Sequence, residues 1–297
     1  MADREIWQVN EVELAVRAVG HGPLVVLAHG FPDLGITWRL QVDTLVEAGY
    51  RVLVPDLPGY GDSSRPATRA AYTASAIGLD LIGLLDHEGV AQAHIVGHDW
   101  GAASVWPLGL THGDRLLSLT GISVPYVRPT SAPPMSMVRS RLGEDFYQVR
   151  FQDDSAAGQL QQDVRHTIAA AYSERFHSMG NSNDSVRAPD WLPQPIFERY
   201  VATFRATGFD GGLAYYRNID ENWRQAVALG EHPITCPSLF ITGSADPVAE
   251  FMRVEAGASA FADLRTVVVD GAGHWVHQEA PVDVNRALLK HLERAVS

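Results

Sequence analysis

The segment GHDWG, residues 97–101, decides the fold, because it follows the short apolar run AHIV and precedes a stretch with helical spacing. A sharp strand-to-helix turn needs small residues two positions before and two after its apex, where the strained backbone leaves no room for side chains. Gly97 and Gly101 occupy those positions and present Asp99. A glycine-flanked aspartate also occurs in ordinary turns, so the rest of the chain has to decide between the two interpretations.

Apolar runs of strand length recur on both sides of this turn, and stretches with helical spacing lie between them. Ile77, Leu81, Leu84 and Leu85 share one face of such a stretch, which starts near Thr73. Alternating strands and helices predict an α/β fold, with a mostly parallel central sheet and helices on both faces. The predicted strands are LVVLAHG (24–30), YRVLVPD (50–56), AHIVGHD (93–99), LLSLTGISVP (116–125), PSLFITG (237–243) and RTVVVDG (265–271).

The middle of the chain interrupts this alternation. Residues 126–231 contain no comparable strand, and prolines separate helical segments rich in Gln, Arg, Tyr and Ala. We therefore predict a first core segment at 1–125, a helical cap at 126–231 and a second core segment at 232–297. The last segment ends in an amphipathic helix that starts at about Val282. Pro107 should interrupt the helix that follows the GHDWG turn, because proline lacks the N–H that a helix interior requires.

Composition limits the partners of the protein. Its 23 basic and 35 acidic residues give a formal net charge of −12, which disfavours nucleic acid or an anionic membrane surface as a partner. The single cysteine, Cys236, cannot form an intramolecular disulfide, and no Cys/His spacing of a zinc site is present. The N-terminal MADREIWQVN lacks the apolar run of a secretory signal. We expect a cytoplasmic protein, either a monomer or a homodimer, that binds a small molecule.

Two further polar residues follow predicted strands in the second core segment. Asp246 comes after PSLFITG and His274 after RTVVVDG, and reactive groups of open α/β sheets collect beyond the carboxyl ends of strands. Asp99, Asp246 and His274 then stand in the chain order of nucleophile, acid and base found in α/β hydrolases. Asp270 is a competing acid close to the histidine. Asp246 is favoured because it follows a buried strand, and the earlier alternative slot, GISVPY, contains no carboxylate.

Four segments together resemble the epoxide hydrolases of the α/β-hydrolase superfamily: HGFPD (29–33), DLPGYGDSSRP (56–66), GHDWG and GAGHW (271–275). The resemblance runs from about Gly22 to the C-terminal helix. It implies a lid of helices inserted into the core and two lid tyrosines that activate the epoxide oxygen. EDFYQVRFQ (144–152) and GGLAYYRNIDENW (211–223) are similar to the tyrosine-bearing segments, which places the pair at Tyr147 and Tyr216. The neighbouring Tyr215 is expected to contact the substrate.

An aspartate nucleophile suits substitution at saturated carbon. Asp99 is anionic at neutral pH and attacks without a base, which leaves an alkyl ester on the enzyme. His274 then activates water to hydrolyse that ester, while Asp246 orients the imidazole. The oxyanion should lie between the backbone N–H groups of Trp100 and Phe31. The scheme needs neither a metal nor an organic cofactor. The side chains of Phe31, Pro32 and Trp100 are expected to line the substrate pocket.

The leaving group distinguishes the alternatives. An epoxide oxygen needs an acid, which two tyrosines supply, whereas a halide needs only N–H donors. Haloalkane dehalogenases use the Trp after the nucleophile together with a second donor, but that partner position is Phe31 here. Haloacid dehalogenases carry Arg where this chain has Trp100. We expect an epoxide hydrolase, with a haloalkane-type dehalogenase as the first alternative and a non-catalytic binder of a small ligand as the second.

Overall fold

A computed structural model describes residues 4–181, 185–230 and 232–295. Residues 1–3, 296–297 and the predicted cap boundary at Glu231 lie outside the described residues. The strands form one sheet of eight. The first two pairs at one edge are antiparallel, and every other neighbouring pair is parallel. The predicted α/β architecture is confirmed. The strands are β1 (Glu5–Val9), β2 (Val12–Gly20), β3 (Leu24–Ala28), β4 (Arg51–Pro55), β5 (Ala93–His98), β6 (Leu116–Ile122), β7 (Ser238–Gly243) and β8 (Leu264–Val269).

The order of the strands is β1-β2-β4-β3-β5-β6-β7-β8, so β5 lies near the middle of the sheet. All six predicted strands are present, from β3 to β8. Strands β1 and β2 were not predicted from the sequence; they form an antiparallel hairpin, and β2 also pairs antiparallel with β4. Most of β1 faces solvent, so it lacks the continuous apolar run that marked the other strands.

Helices cover both faces of the sheet, as predicted. Along β3, Val25 and Leu27 pack in one cluster with Leu45 and Leu288, while Val26 packs in the other with Leu81. Successive residues of a strand point to opposite faces, so the continuous apolar runs are those of strands buried on both sides. The α-helices in the described ranges are α1 (Arg39–Glu47), α2 (Ala74–Glu88), α3 (Trp100–Val105), α4 (Leu108–Thr111), α5 (Pro134–Leu142), α6 (Tyr147–Arg150), α7 (Ala156–Gln162), α8 (Val164–Tyr172), α9 (Gln194–Thr207), α10 (Asp210–Tyr216), α11 (Ile219–Leu229), α12 (Val276–Glu279) and α13 (Pro281–Ala295).

Local sequence signals explain where two of these helices begin and end. Thr73 caps α2, because its side-chain oxygen accepts the N–H of Ala76 at 3.2 Å. At Pro107 the helix after the GHDWG turn is interrupted as predicted, since α3 ends at Val105 and α4 begins at Leu108.

Helices α5 to α11 lie between β6 and β7, although these two strands are direct neighbours in the sheet. Gly121 pairs with Phe240 across that junction. The chain thus leaves the sheet after β6, builds a set of helices and returns to the adjacent strand. In the described part of the chain, no helix combines the length and the hydropathy that a membrane span requires.

Candidate active site

Asp99 lies at the apex of the turn between β5 and α3. Its backbone has φ 51° and ψ −116°, a conformation that residues with a side chain rarely adopt. The flanking glycines are sterically required: a Cβ on Gly97 would lie 2.4 Å from the carbonyl carbon of Gly101, and one on Gly101 would lie 2.2 Å from the carbonyl oxygen of Ala28. The turn therefore projects the Asp99 carboxylate beyond the carboxyl end of β5.

The structure brings Asp246 and His274 to this carboxylate. His274 Nε2 lies 3.6 Å from Asp99 Oδ2, and its Nδ1 lies 3.2 Å from Asp246 Oδ1. The side chain of His274 is 2% exposed and that of Asp246 is fully buried, whereas Asp99 is 13% exposed. Asp246 also accepts the N–H of Val248 at 2.9 Å, which fixes the carboxylate that orients the imidazole. Only the nucleophile of this set is open to a ligand.

The charges of Asp99 and His274 shift the pKa of each other. Burial on its own would raise the pKa of Asp99, but the His274 imidazole outweighs it, so the pKa lies below the ordinary value. Burial would also lower the pKa of His274. Asp246 and Asp99 together hold that pKa well above its usual value. In the free protein the site therefore favours a charged Asp99 carboxylate and a protonated imidazole between two carboxylates.

Backbone donors surround the nucleophile. The N–H of Phe31 donates to Asp99 Oδ1 at 2.8 Å. Trp100 is the first residue of α3, so its N–H has no acceptor within the helix. These are the two donors expected to form the oxyanion hole.

A cavity of about 710 Å³ connects Asp99 with both expected tyrosines, Tyr147 and Tyr216. Trp100 also lines it, and the ring centroids of the two tyrosines lie 5.9 Å apart. Tyr147 begins α6 and Tyr216 ends α10. Gln152 links the two segments, since its Nε2 donates to the carbonyl of Tyr216 at 3.0 Å. One cavity is thus lined by the nucleophile and by two phenol side chains.

Both phenols are held in the neutral form. Burial raises the pKa of Tyr147 and Tyr216 well above the usual value, and the negative charge of Asp99 raises each of them further. Each hydroxyl is therefore a hydrogen-bond donor while Asp99 is charged.

Three side chains expected to contact substrate, those of Tyr215, Phe31 and Pro32, do not line this cavity. Tyr215 is fully buried on the other face of α10, where its hydroxyl donates to the carbonyl of Pro58 at 2.9 Å. The Phe31 ring packs behind Tyr216 with centroids 5.3 Å apart, and Pro32 is buried beside it. In a helix, adjacent residues point about 100° apart, so Tyr215 and Tyr216 cannot both face the cavity.

The groups that hold the backbone of His274 were not predicted from the sequence. Its carbonyl accepts a 2.6 Å hydrogen bond from Ser123 Oγ and lies 3.0 Å from His98 Nε2. Ser123 follows β6 and lies 151 positions away in the chain, so no local pattern could have indicated this contact.

One set of residues within the described ranges has ligand atoms that could hold a metal ion: Asp33, His98 and His277, whose atoms lie within 4.8 Å of one another. Burial lowers the pKa of His98 to about 3 and that of His277 well below its usual value, so both imidazoles are neutral. The three residues do not line the cavity.

Comparisons with known proteins agree with this geometry. A family model described as alpha/beta hydrolase fold matches residues 23–281. Epoxide hydrolase A of Mycobacterium tuberculosis is 40% identical, with 95% of each chain covered. An epoxide hydrolase of Caballeronia sordidicola is 35% identical over 95% of this chain and 91% of its own. The crystal structure of epoxide hydrolase A from Mycobacterium thermoresistibile superimposes with a TM-score of 0.91 at 40% identity, and the match covers 98% of both chains.

The chain therefore belongs to the α/β hydrolases. Within that superfamily it is a member of the epoxide hydrolase family, as its sequence motifs indicated.

Proposed function

We propose that the protein adds water to an epoxide to give a vicinal diol, through an alkyl ester on Asp99. The observation that carries this proposal is the single cavity shared by Asp99, Tyr147 and Tyr216. A carboxylate able to attack carbon and two neutral phenols able to donate to the ring oxygen are the two requirements of epoxide opening.

In the first step, Asp99 Oδ forms a bond to one epoxide carbon as the carbon–oxygen bond breaks, and the oxygen takes a proton from a tyrosine. Forming the ester removes the negative charge of Asp99. Because that charge raises the pKa of Tyr147 and Tyr216, its loss makes both phenols stronger acids as the alkoxide develops. The nucleophile and the acids are thus coupled electrostatically.

The second step depends on His274. Asp99 also helps to keep the imidazole protonated, so esterification lowers the pKa of His274 and favours the neutral form that accepts a proton from water. The proton that the imidazole gives up returns through solvent to the tyrosinate left by the first step. The neutral imidazole then takes a proton from water, and the resulting hydroxide attacks the ester carbonyl, where the N–H groups of Phe31 and Trp100 stabilise the oxyanion. The bond between the carbonyl carbon and the diol oxygen breaks, the proton of the added hydroxyl passes to the departing oxygen, and the Asp99 carboxylate and the protonated imidazole are restored. Asp246 keeps the imidazole oriented throughout.

Product analysis tests this proposal against the alternatives. The purified protein is incubated with styrene oxide and, separately, with a bromoalkane, and diol and bromide are measured. Diol without bromide supports the proposal, whereas bromide alone supports a dehalogenase, and neither product supports a non-catalytic binder. The structure favours the first outcome, because the Phe31 side chain, in the position of a second halide donor, has no N–H or O–H group.

The helices between β6 and β7 suggest how substrate is enclosed. We propose that residues 126–231 form a cap over the core segments 1–125 and 232–297. Two cap helices, α6 and α10, provide the tyrosines, and cap residues such as Met137 and Trp223 line the cavity. Substrate preference should therefore depend on the cap.

We also propose that the protein acts in the cytoplasm, as a monomer or homodimer. Its single cysteine supports a reducing compartment, because Cys236 is buried and burial raises the pKa of its thiol to about 11. Such a thiol is a poor partner for disulfide formation.

A further inference from the structure

Two carboxylates bind three successive backbone N–H groups around the catalytic histidine. Glu279 accepts the N–H of Gly273 at 2.8 Å and that of Trp275 at 2.9 Å. The N–H of His274 itself donates to Glu174 Oε1. Glu279 ends α12 in the core, but Glu174 comes from the segment after α8, one hundred positions earlier in the chain. The base is therefore connected to the inserted helices through its own backbone.

Glu174 occupies a position where glycine is favoured. It follows the C-terminus of α8 with φ 58°, its N–H donates to the carbonyl of Ala171, and the N–H of Arg175 donates to that of Ala170. This pattern is a left-handed helix C-cap, in which a residue with a Cβ is strained and glycine is not. The helix gains nothing from glutamate here, so the reason for it lies in its side chain.

Backbone strain concentrates around His274 in the described part of the chain. Four non-glycine residues of the described ranges have positive φ, namely Asn10, Asp99, Ser123 and Glu174, and all but Asn10 lie at His274. Asp99 lies at the imidazole, Ser123 binds the backbone carbonyl of His274, and Glu174 binds its N–H. Strained residues cluster where a functional geometry has to be maintained.

The Glu174 carboxylate is also held at an electrostatic cost. Burial raises its pKa, and the N–H of His274 only partly offsets this effect, while nearby Glu279 raises the pKa further. Desolvation and a neighbouring carboxylate thus oppose the charge of Glu174, whereas the N–H and the charge of His274 favour it.

We propose that Glu174 is a positioning residue, which sets the backbone of His274 so that the imidazole is aligned for ester hydrolysis. The inference rests on the proposed function. Because Asp99 attacks without a base, misplacing His274 should slow the second step and leave the first intact. A displacement of about 1 Å at a reacting group costs on the order of 100-fold in rate.

Glu174→Gly and Glu174→Gln test the proposal together. Glycine relieves the strained φ but removes the acceptor, whereas the amide oxygen of glutamine still accepts the N–H of His274. Each variant is mixed with styrene oxide and quenched at intervals. The mass of the peptide containing Asp99 reports ester formation and decay, and thermal unfolding reports stability. Glu47→Gln, an exposed glutamate on α1, is the matched control.

We expect Glu174→Gly to form the ester within about twofold of the normal rate, to hydrolyse it roughly 10- to 100-fold more slowly, and to unfold within a few degrees of the unaltered protein. Glu174→Gln and the control should hydrolyse the ester at near-normal rates. Normal hydrolysis in Glu174→Gly, equal slowing of both steps, or equal loss in the Gly and Gln variants would each overturn the proposal. Should Glu174→Gly fail to fold, Glu174→Asn takes its place, because asparagine tolerates positive φ and is one methylene shorter.

The same series separates this inference from the function on which it rests. If the unaltered protein forms no ester on Asp99 and no diol, the proposed function fails and the inference with it. If the unaltered protein forms and hydrolyses the ester but Glu174→Gly matches it, only the role of Glu174 is wrong.

Discussion

His274 Nε2 lies 3.6 Å from Asp99 Oδ2, while Nδ1 of the same ring lies 3.2 Å from Asp246 Oδ1. The imidazole therefore lies between the carboxylate of Asp99, which bonds to substrate, and that of Asp246, which does not. At 3.6 Å the first contact is longer than a normal hydrogen bond, yet close enough for the two charges to stabilise each other. Esterification of Asp99 removes one of the two charges that hold the imidazole protonated. This relationship makes the two steps separable by mutation.

Asp99→Ala should abolish diol formation, because no other described carboxylate that lines the cavity lies beside the imidazole. We expect a fall in kcat/KM of at least about 10⁴-fold, measured as diol released from styrene oxide. Asp43→Ala, on an exposed position of α1, controls for the loss of an acidic side chain and should keep full activity. Residual turnover of Asp99→Ala above one hundredth of the normal rate would mean that water attacks the epoxide directly.

His274→Gln should separate ring opening from ester hydrolysis. Since Asp99 attacks without help, we expect one equivalent of substrate to be consumed in a burst, followed by a stall. Mass spectrometry of the digested protein should then find the substrate mass added to the peptide that contains Asp99. Continued turnover by this variant at a constant rate would contradict a two-step scheme with a histidine base.

The double variant with Tyr147→Phe and Tyr216→Phe should lose ring opening, because the developing alkoxide would then have no proton donor. Single variants should lose about 10- to 100-fold in the rate of ester formation and the double variant more, as for general acid catalysis. Rapid-quench measurement of the ester gives these rates.

Tyr215→Phe is the matched control for the tyrosine variants. Its hydroxyl donates to the carbonyl of Pro58 away from the cavity, so we expect a loss of about 1 kcal/mol in the free energy of unfolding and normal ring opening. Loss of ring opening in Tyr215→Phe alone would reverse the assignment of the second tyrosine to Tyr216.

Asp80 should make stability depend on pH. It is buried on α2, where burial raises its pKa to about 6, although Asn10 Nδ2 donates to its carboxylate at 3.0 Å. Because this pKa lies above that of the unfolded chain, near 3.9, the carboxyl contributes most below pH 4 and its contribution is lost as pH rises through 6.

Asp80→Asn should therefore be more stable than the unaltered protein at pH 7, by roughly 1–3 kcal/mol, and the difference should vanish near pH 4. Urea unfolding at several pH values measures it. A difference that stays constant from pH 4 to pH 7 would show that Asp80 does not titrate in this range.

Much of the core was predictable because its signals are local. The glycines on either side of Asp99 and the apolar runs of β3 to β8 are dictated by steric fit and burial within a few residues of each position. The antiparallel strand β1 was missed because it is mostly exposed, and β2 because Glu13 and Arg17 interrupt its apolar run.

Contacts between distant segments were beyond local patterns. Glu174 and Ser123 bind the backbone of His274 from 100 and 151 positions away, and their residue types carry no signal of that partner. The burial of Tyr215 has a related origin, because the packing of α10 against Pro58 decides which of two adjacent phenols faces the cavity.

A single turnover in water enriched in ¹⁸O, with enzyme in excess over styrene oxide, tests the central claim most directly. If Asp99 forms the ester, the diol gains its new oxygen from the carboxylate and is unlabelled, while the peptide containing Asp99 becomes 2 Da heavier. If the diol instead carries ¹⁸O after that first turnover and the peptide mass is unchanged, water attacked the ring and Asp99 is not the nucleophile.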